Sequence, residues 1–362
     1  MSVFIFLVVL CVLILVHEWG HFITAKKLGM RVEEFSIGFP PRLIAKKVGE
    51  TLYSFNLFLI GGYVKILGED PTADGHASDP RSFSAKPRWA QAVVLLAGVT
   101  MNVLLAWALF FVVFMIGTQS AVEEADRSEH AVLTVTVVLP ESPAAEGGIR
   151  AGAQVLEVES EGEKLLDETP SAFQAFVHEH QNDDITITYT YKGEQKIATV
   201  SPETGLIAEA PNQRAVGLAL AFIETTSYPP LQAAREATVM TAVGLKDITV
   251  GITGLLWDAI RFDADLADVA GPIGIVGLVG EASAFGLTTL LMFTAFISLN
   301  LAVINILPFP ALDGGRLLFV LIEEIKGSPI KPAFANTLNT IGFLLLIFLM
   351  LAVTYNDISK LL

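Results

Sequence analysis

Four stretches without a charged side chain decide what this chain can fold into. Residues 2–16, 89–117, 287–312 and 332–355 contain no Asp, Glu, Lys or Arg. A helix needs about 20 apolar residues to cross a hydrocarbon core. The last three stretches reach that length, and the first does so if its helix continues through His17 to Ile23. Composition agrees: 52% of the 362 residues are hydrophobic and 17% are charged, where soluble chains run near about a quarter charged. The expectation is a polytopic α-helical membrane protein with four transmembrane helices, near 2–23, 89–117, 287–307 and 336–355. A signal peptide would open on a basic segment and end at a small-residue cleavage site. The first Lys or Arg is Lys26 and no Ala-x-Ala follows the apolar run, so the first stretch is expected to remain as a span. The single cysteine, Cys11, rules out an intrachain disulfide framework.

The charges that remain predict an orientation. Segment 24–88 carries Lys26, Lys27, Arg31, Arg42, Lys46, Lys47, Lys65, Arg81, Lys86 and Arg88, whereas 118–230 is rich in Asp and Glu and the whole chain nets −15. Lys and Arg favour the cytoplasmic ends of spans. This puts 24–88 in the cytoplasm and the acidic segment outside, with Arg316, Lys326 and Lys331 returning to the cytoplasm and both termini outside. The expected setting is the cytoplasmic (inner) membrane. The acidic surface keeps an extramembranous domain soluble. No basic patch interleaved with aromatics suggests nucleic-acid binding.

At the end of the first span the chain reads His17-Glu18-Trp19-Gly20-His21. Residues i and i+4 of a helix share a face. Two imidazoles can then hold one metal ion while Glu18 acts on a water that the metal activates. Zn2+ suits such a set, because catalytic zinc keeps three protein ligands and one open position. The bare pattern arises by chance in some chains. Three ionisable residues at the end of a span, however, are expensive and usually functional. The third ligand is expected from Asn305-Ile-Leu-Pro-Phe-Pro-Ala-Leu-Asp313-Gly-Gly-Arg316. Pro308 and Pro310 break the helix at membrane depth, which is tolerated only beside protein or a cavity. Asp313 then lies at the depth of His17 and His21; the alternative is a helix-capping aspartate.

The pairing of these two motifs resembles the site-2 protease family of intramembrane zinc metalloproteases, in its bacterial regulator-of-sigma-E branch. The resemblance implies His17, His21 and Asp313 as zinc ligands, one zinc per chain, Glu18 as the catalytic glutamate, and Asn305 as a substrate-backbone contact. Tyr53 to Lys65 resembles the family's membrane-associated β-hairpin on the cytoplasmic side, with Gly61, Gly62 and Tyr63 as substrate-binding residues. Its alternating apolar residues followed by Gly61-Gly62 suit a strand and a turn. The implied activity is hydrolysis of peptide bonds inside single-span membrane proteins already trimmed by another protease, such as anti-sigma factors or remnant signal peptides.

Residues 119–226 resemble one extracytoplasmic α+β PDZ domain, between an N-terminal membrane part (1–118) and a C-terminal one (227–362). Ser142 to Gly152 resembles its loop and helix, followed by strands at 154–160, 185–191 and 195–200 and a helix near 170–180. Two features depart from the family pattern: Ala151-Gly152-Ala153 stands where Pro-Gly-Asp is usual, and Gly98-Val-Thr-Met-Asn102 lacks the proline expected after the glycine. Residues 231–260 are apolar with scattered charge and are expected as an amphipathic helix on the outer surface. Gly271 to Ile275 is expected as a turn. His76 falls in a loop, and His178 and His180 are expected on a solvated surface. A scaffold that binds partners and a metal transporter are the competing functions. The intact His17, Glu18, His21 and Asp313 count against the first, and the lack of paired broken repeats counts against the second.

Overall fold

The computed structural model describes residues 1–69, 79–207, 210–261 and 270–360. In chain order the helices are α1 (Ser2–Lys27), α2 (Arg88–Ile116), α3 (Pro143–Glu146), α4 (Pro170–Glu179), α5 (Pro230–Arg261), α6 (Pro272–Ala284), α7 (Leu287–Ile306), α8 (Asp313–Lys326) and α9 (Pro332–Ser359). The strands are β1 (Val32–Val48), β2 (Thr51–Ile66), β3 (Thr118–Val122), β4 (Val132–Val138), β5 (Gln154–Ser160), β6 (Glu163–Lys164), β7 (Ile185–Tyr191), β8 (Glu194–Val200) and β9 (Leu218–Thr226). The chain forms two compact units. One comprises 1–112, 231–283 and 290–362, and the other comprises 113–230 with 284–289. His76 lies outside the described residues.

The first unit is built on helices whose large apolar side chains face outward. Phe343, Leu344, Phe348 and Leu351 of α9 are all exposed. So broad an apolar surface needs lipid or another apolar partner around it. Among the described helices five, not four, are long and apolar enough to cross a membrane. The fifth is α5, expected on the surface. Its first half packs into the helices: Trp107 of α2 donates to Thr238, and Gly244 is so close to α7 that an added Cβ would stand 2.9 Å from Leu299. Ala233, Ala237, Thr241 and Gly244 make that face thin enough for close approach. The segment from Gly271 is not merely a turn but leads into α6, whose first amides at Gly271 and Gly274 donate to Asp357 of α9.

Close approach also joins α1 and α2. A Cβ on Gly20 would clash with the backbone carbonyl of Ala97. Beside that crossing, Phe22, Val32, Phe35, Ile66, Val94 and Val320 share one buried core that ties α1, the hairpin, α2 and α8 together. The hairpin is longer than the sequence suggests: its tip is not Gly61-Gly62, but β2 does reverse just before them, since Ile37 pairs with Phe55 in parallel register and with Gly62 in antiparallel register. The chain reverses at Gly49-Glu50, and both glycines lie inside β2. Gly38 (φ 84) lets β1 bend, so that Tyr53 pairs with both Phe35 and Lys46, and β2 bends between 55 and 62, so that Phe35 pairs with Val64 on one side and with Tyr53 on the other. The 62–66 arm of β2 therefore pairs with β1 along one side only, among the described residues. Gly61 lies under the ring of Phe39, and a Cβ on Gly62 would stand 2.8 Å from the Ser36 carbonyl oxygen.

The second unit is a seven-stranded sheet in the order β3-β9-β4-β5-β7-β8, with β6 beside β5. Ile185, Ile187 and Tyr189 alternate inward from β7 and meet Phe173, Phe176 and Val177 of α4, the period-2 and helical faces that amphipathic elements bury. Thr169 caps α4 by accepting from the Ala172 amide, with Pro170 in the first turn. Strands β5, β7 and β8 and helix α4 fall where the sequence placed them. His178 is exposed as expected, but His180 is buried, its ring against Phe176 and its Nε2 3.5 Å from Glu163. Among the described residues strand β9 pairs with β4 over 218–223 and with β3 over 222–226. Its residues 218–220 line a cavity of about 270 Å³ that Phe173 and Val177 also border.

Ile187 is fully buried. Ile187→Ala is expected to cost about 2–5 kcal/mol, read as lost amide protection confined to 113–230 by hydrogen exchange. Zinc bound per chain stays unchanged.

Candidate metal centre

Three side chains from two distant parts of the sequence converge. His17 and His21 project from one face of α1 near its C-terminal end, and both are buried. The Nδ1 of His21 lies 2.9 Å from the Val94 carbonyl oxygen. A carbonyl can only accept, so Nδ1 carries a proton, and in the neutral imidazole Nε2 then presents a lone pair.

The third side chain is delivered by the loop between α7 and α8. Pro308 and Pro310 end the α7 helix, since proline offers no amide to continue it. Ala311 takes φ 75, and its N–H donates to Asn339 Oδ1 of α9 at 3.3 Å. Gly342 backs onto Pro310, where a Cβ would come within 2.7 Å of the proline ring. Gly314 and Gly315 fold tightly over the carbonyls of 306, 307 and 309. The result sets Asp313 as the first residue of α8, after Leu312 in the cap position. Asp313 is thus not the capping residue.

Asp313 Oδ2 lies 3.0 Å from His17 Nε2 and 3.3 Å from His21 Nε2, and the two nitrogens are 3.2 Å apart. The oxygen is buried and makes no hydrogen bond. Three electron-rich atoms at such separations need a cation among them. Zinc bonds of about 2.0–2.1 Å in a tetrahedral array put neighbouring ligand atoms about 3.3–3.4 Å apart, close to the separations found here. The space is kept open by Gly98 of α2: a Cβ there would stand 2.7 Å from His17 Cε1 and closer still to His21 Nε2. The donor set and the geometry both fit zinc.

Glu18 is half-buried on the same turn of α1, and a Cβ on Gly62 would lie 3.8 Å from its Cγ. The one-sided arm of β2 therefore runs past the carboxylate. Tyr63 stacks on Phe39 at 6.4 Å, and Gly61 underlies that same ring. Asn305 is half-buried in the last turn of α7 and is not one of the three groups that meet. The sequence reading missed Asn102. It is fully buried, and its amide stands 3.1 Å from His17 Nδ1. The available signal was a polar amide in the middle of a 29-residue helix whose only charged residue is Arg88 at its start. A cavity of about 450 Å³ is bordered by Glu69, Arg88, Leu95, Arg316, Glu323 and Asn339; neither the three converging side chains nor Glu18 lines it. Arg88 pairs with Glu323 at 2.7 Å, and Arg316 pairs with Glu69.

Comparison with known proteins gives the family. The model of peptidase family M50 matches residues 5–349. A relative from Clostridium perfringens, named provisionally as a zinc metalloprotease, is 36% identical over 351 residues, covering 96% of this chain and 95% of its own. The zinc metalloprotease RasP of Oceanobacillus iheyensis is 28% identical, with 99% of each chain covered. The chain belongs to peptidase family M50 and is a zinc metalloprotease.

Proposed function

We propose that this enzyme hydrolyses peptide bonds within the membrane-spanning segments of single-span proteins, with His17, His21 and Asp313 holding zinc and Glu18 as general base and acid. The observation that carries the reading is the meeting of three lone-pair atoms within 3.3 Å at the end of an apolar helix, beside a free carboxylate. Bound zinc supplies Lewis-acid polarisation and brings the pKa of water toward about 7. Glu18 takes the proton of the attacking water and passes it to the leaving amine as the C–N bond breaks. The cavity edged by Glu69 and Arg316 brings water to the site: Arg316 lies one helical turn beyond Asp313, and Leu95 follows the Val94 that holds His21.

An intact helix shields its own peptide bonds, so a substrate must be drawn into extended form. The one-sided arm of β2 offers backbone groups to a second partner, as in strand addition, and Gly62 brings that edge against Glu18. Gly61, Gly62 and Tyr63 are assigned to holding the substrate strand, and Asn305 to its backbone on the opposite side.

In the membrane the basic clusters face the cytoplasm, with both termini and the second unit outside. The helix contacts support four net crossings. The start of α5 lies beside the end of α2 through Thr238 and Trp107. By Gly271–Gly280 the chain is beside Asp357 near the end of α9 and beside Ser2 at the start of α1. Those are all ends assigned to one face, so α5 enters the helices without transferring the chain across. The second unit acts as a PDZ-like filter, barring substrates whose outer portion is untrimmed. The unpaired edge of β9 beside α4 is the groove that such a domain uses.

Glu18→Gln is expected to lower cleavage of a purified single-span substrate in detergent by at least about 100-fold while one zinc stays bound per chain; unchanged cleavage by the variant would remove Glu18 from the chemistry. Gly98→Ala is expected to lose zinc, measured by metal analysis of the monodisperse protein, because its Cβ enters the space between the imidazoles. Deleting 120–225 is expected to admit an untrimmed substrate; if that substrate stays uncut by an active variant, the filter is wrong.

A further inference from the structure

Asn102 has no part in the chemistry derived above, yet it is among the most completely buried polar side chains of the described residues. It sits one helical turn past Gly98 on α2, where its amide meets His17 Nδ1 at 3.1 Å. Its backbone carbonyl accepts from Ser298 Oγ of α7 at 2.8 Å, which fixes the position of the residue from behind. Burial of an amide in a span costs free energy unless its polar atoms are used. As placed, the amide nitrogen faces His17 Nδ1, and the amide oxygen has no partner.

That arrangement matters for the tautomer of His17. If Nδ1 accepts from the amide nitrogen, the proton of a neutral imidazole sits on Nε2, directed at Asp313 Oδ2 3.0 Å away. Such an imidazole has no lone pair for a metal. A half-turn of the near-isosteric amide reverses this: the oxygen, otherwise unpartnered, accepts Nδ1–H, and Nε2 turns its lone pair to the centre. His21 already has this arrangement through Val94.

We infer that Asn102 is the positioning residue for His17, its amide oxygen accepting the Nδ1 proton so that Nε2 is free to bind zinc, as the Val94 carbonyl does for His21. This rests on the reading of His17 as a ligand. The two ligands of one helix are thus oriented by two points of α2 separated by two helical turns, Val94 and Asn102. Asn102 touches neither substrate nor metal.

The test measures zinc affinity of the detergent-solubilised full chain by competition with a chelator, and the visible d–d spectrum after cobalt substitution, for native protein, His17→Ala, Asn102→Leu, Asn102→Asp and Ser298→Ala. Asn102→Leu keeps the volume and removes the acceptor; it is expected to weaken zinc by about 10–100-fold and to alter the cobalt spectrum. Asn102→Asp keeps an acceptor at the same place and is expected to hold zinc at least as tightly as the native chain. Ser298→Ala touches only the backbone of residue 102 and is expected to leave affinity within about threefold, since only loss of the acceptor on His17 carries the larger loss. Equal affinity of Asn102→Leu and native protein overturns the inference, as does a loss in Asn102→Asp as large as that in Asn102→Leu. If Asn102→Leu does not fold, Asn102→Asp decides alone: a tenfold loss overturns the inference. His17→Ala separates the two levels. Native affinity in that variant overturns the ligand reading itself, whereas loss there together with native affinity in Asn102→Leu overturns only the role of Asn102.

Discussion

The centre depends on how closely α1 and α2 approach. Gly20 lets α1 lie against the Ala97 carbonyl, and Gly98 leaves the space into which the two imidazoles turn. With helix backbones in such contact, the Val94 carbonyl comes within hydrogen-bond reach of His21 and the Asn102 amide within reach of His17. A side chain at either glycine would separate the helices or fill the metal space. In lipid, where apolar side chains gain nothing by leaving the solvent, such contact through small residues is what holds helices together. The same device recurs at Gly244 against Leu299 and at Gly342 against Pro310.

The second requirement is a carboxylate brought to this pair from almost 300 residues away. Proline breaks α7, the left-handed Ala311 is steadied by Asn339, and the two glycines after Asp313 let α8 start tightly packed over the broken segment. Irregular backbone within a bundle of apolar helices needs its polar groups satisfied by neighbours, and α9 provides that here. The hairpin makes a parallel use of exposed backbone: among the described residues its 62–66 arm keeps one edge unpaired where it passes Glu18. Two imidazoles, two carboxylates and a strand edge are thus brought around one small volume by separate elements.

Much of this was legible in the sequence because it depends on local rules. The i, i+4 histidines, the uncharged stretches and the two prolines before Asp313 each carry their meaning in spacing or composition, and all lie where that meaning predicts. The strand alternation of 185–191 and the Pro170 start of α4 were equally local. What escaped depends on contacts between distant residues. Gly61-Gly62 looks like the tip of a short hairpin, but the tip is at Gly49-Glu50 and the two glycines follow a second reversal within a long, bent β2, packed on Phe39 and Ser36. The charges of α5 suggested a surface helix, while its stripe of small residues packs half of it among the others. The bend of β1 at Gly38, the burial of His180 and the pairing of Asn102 with His17 leave no periodic trace.

The central claim is that two imidazoles and one carboxylate from this chain bind a single zinc ion. X-ray absorption at the zinc edge of the purified protein reads that coordination directly. The account predicts one zinc per chain with only nitrogen and oxygen neighbours at about 2.0–2.1 Å, two of them imidazoles by their multiple-scattering features, and loss of one oxygen neighbour or of the metal in Asp313→Ala. A zinc shell without imidazole, or an unchanged spectrum in Asp313→Ala, would contradict it.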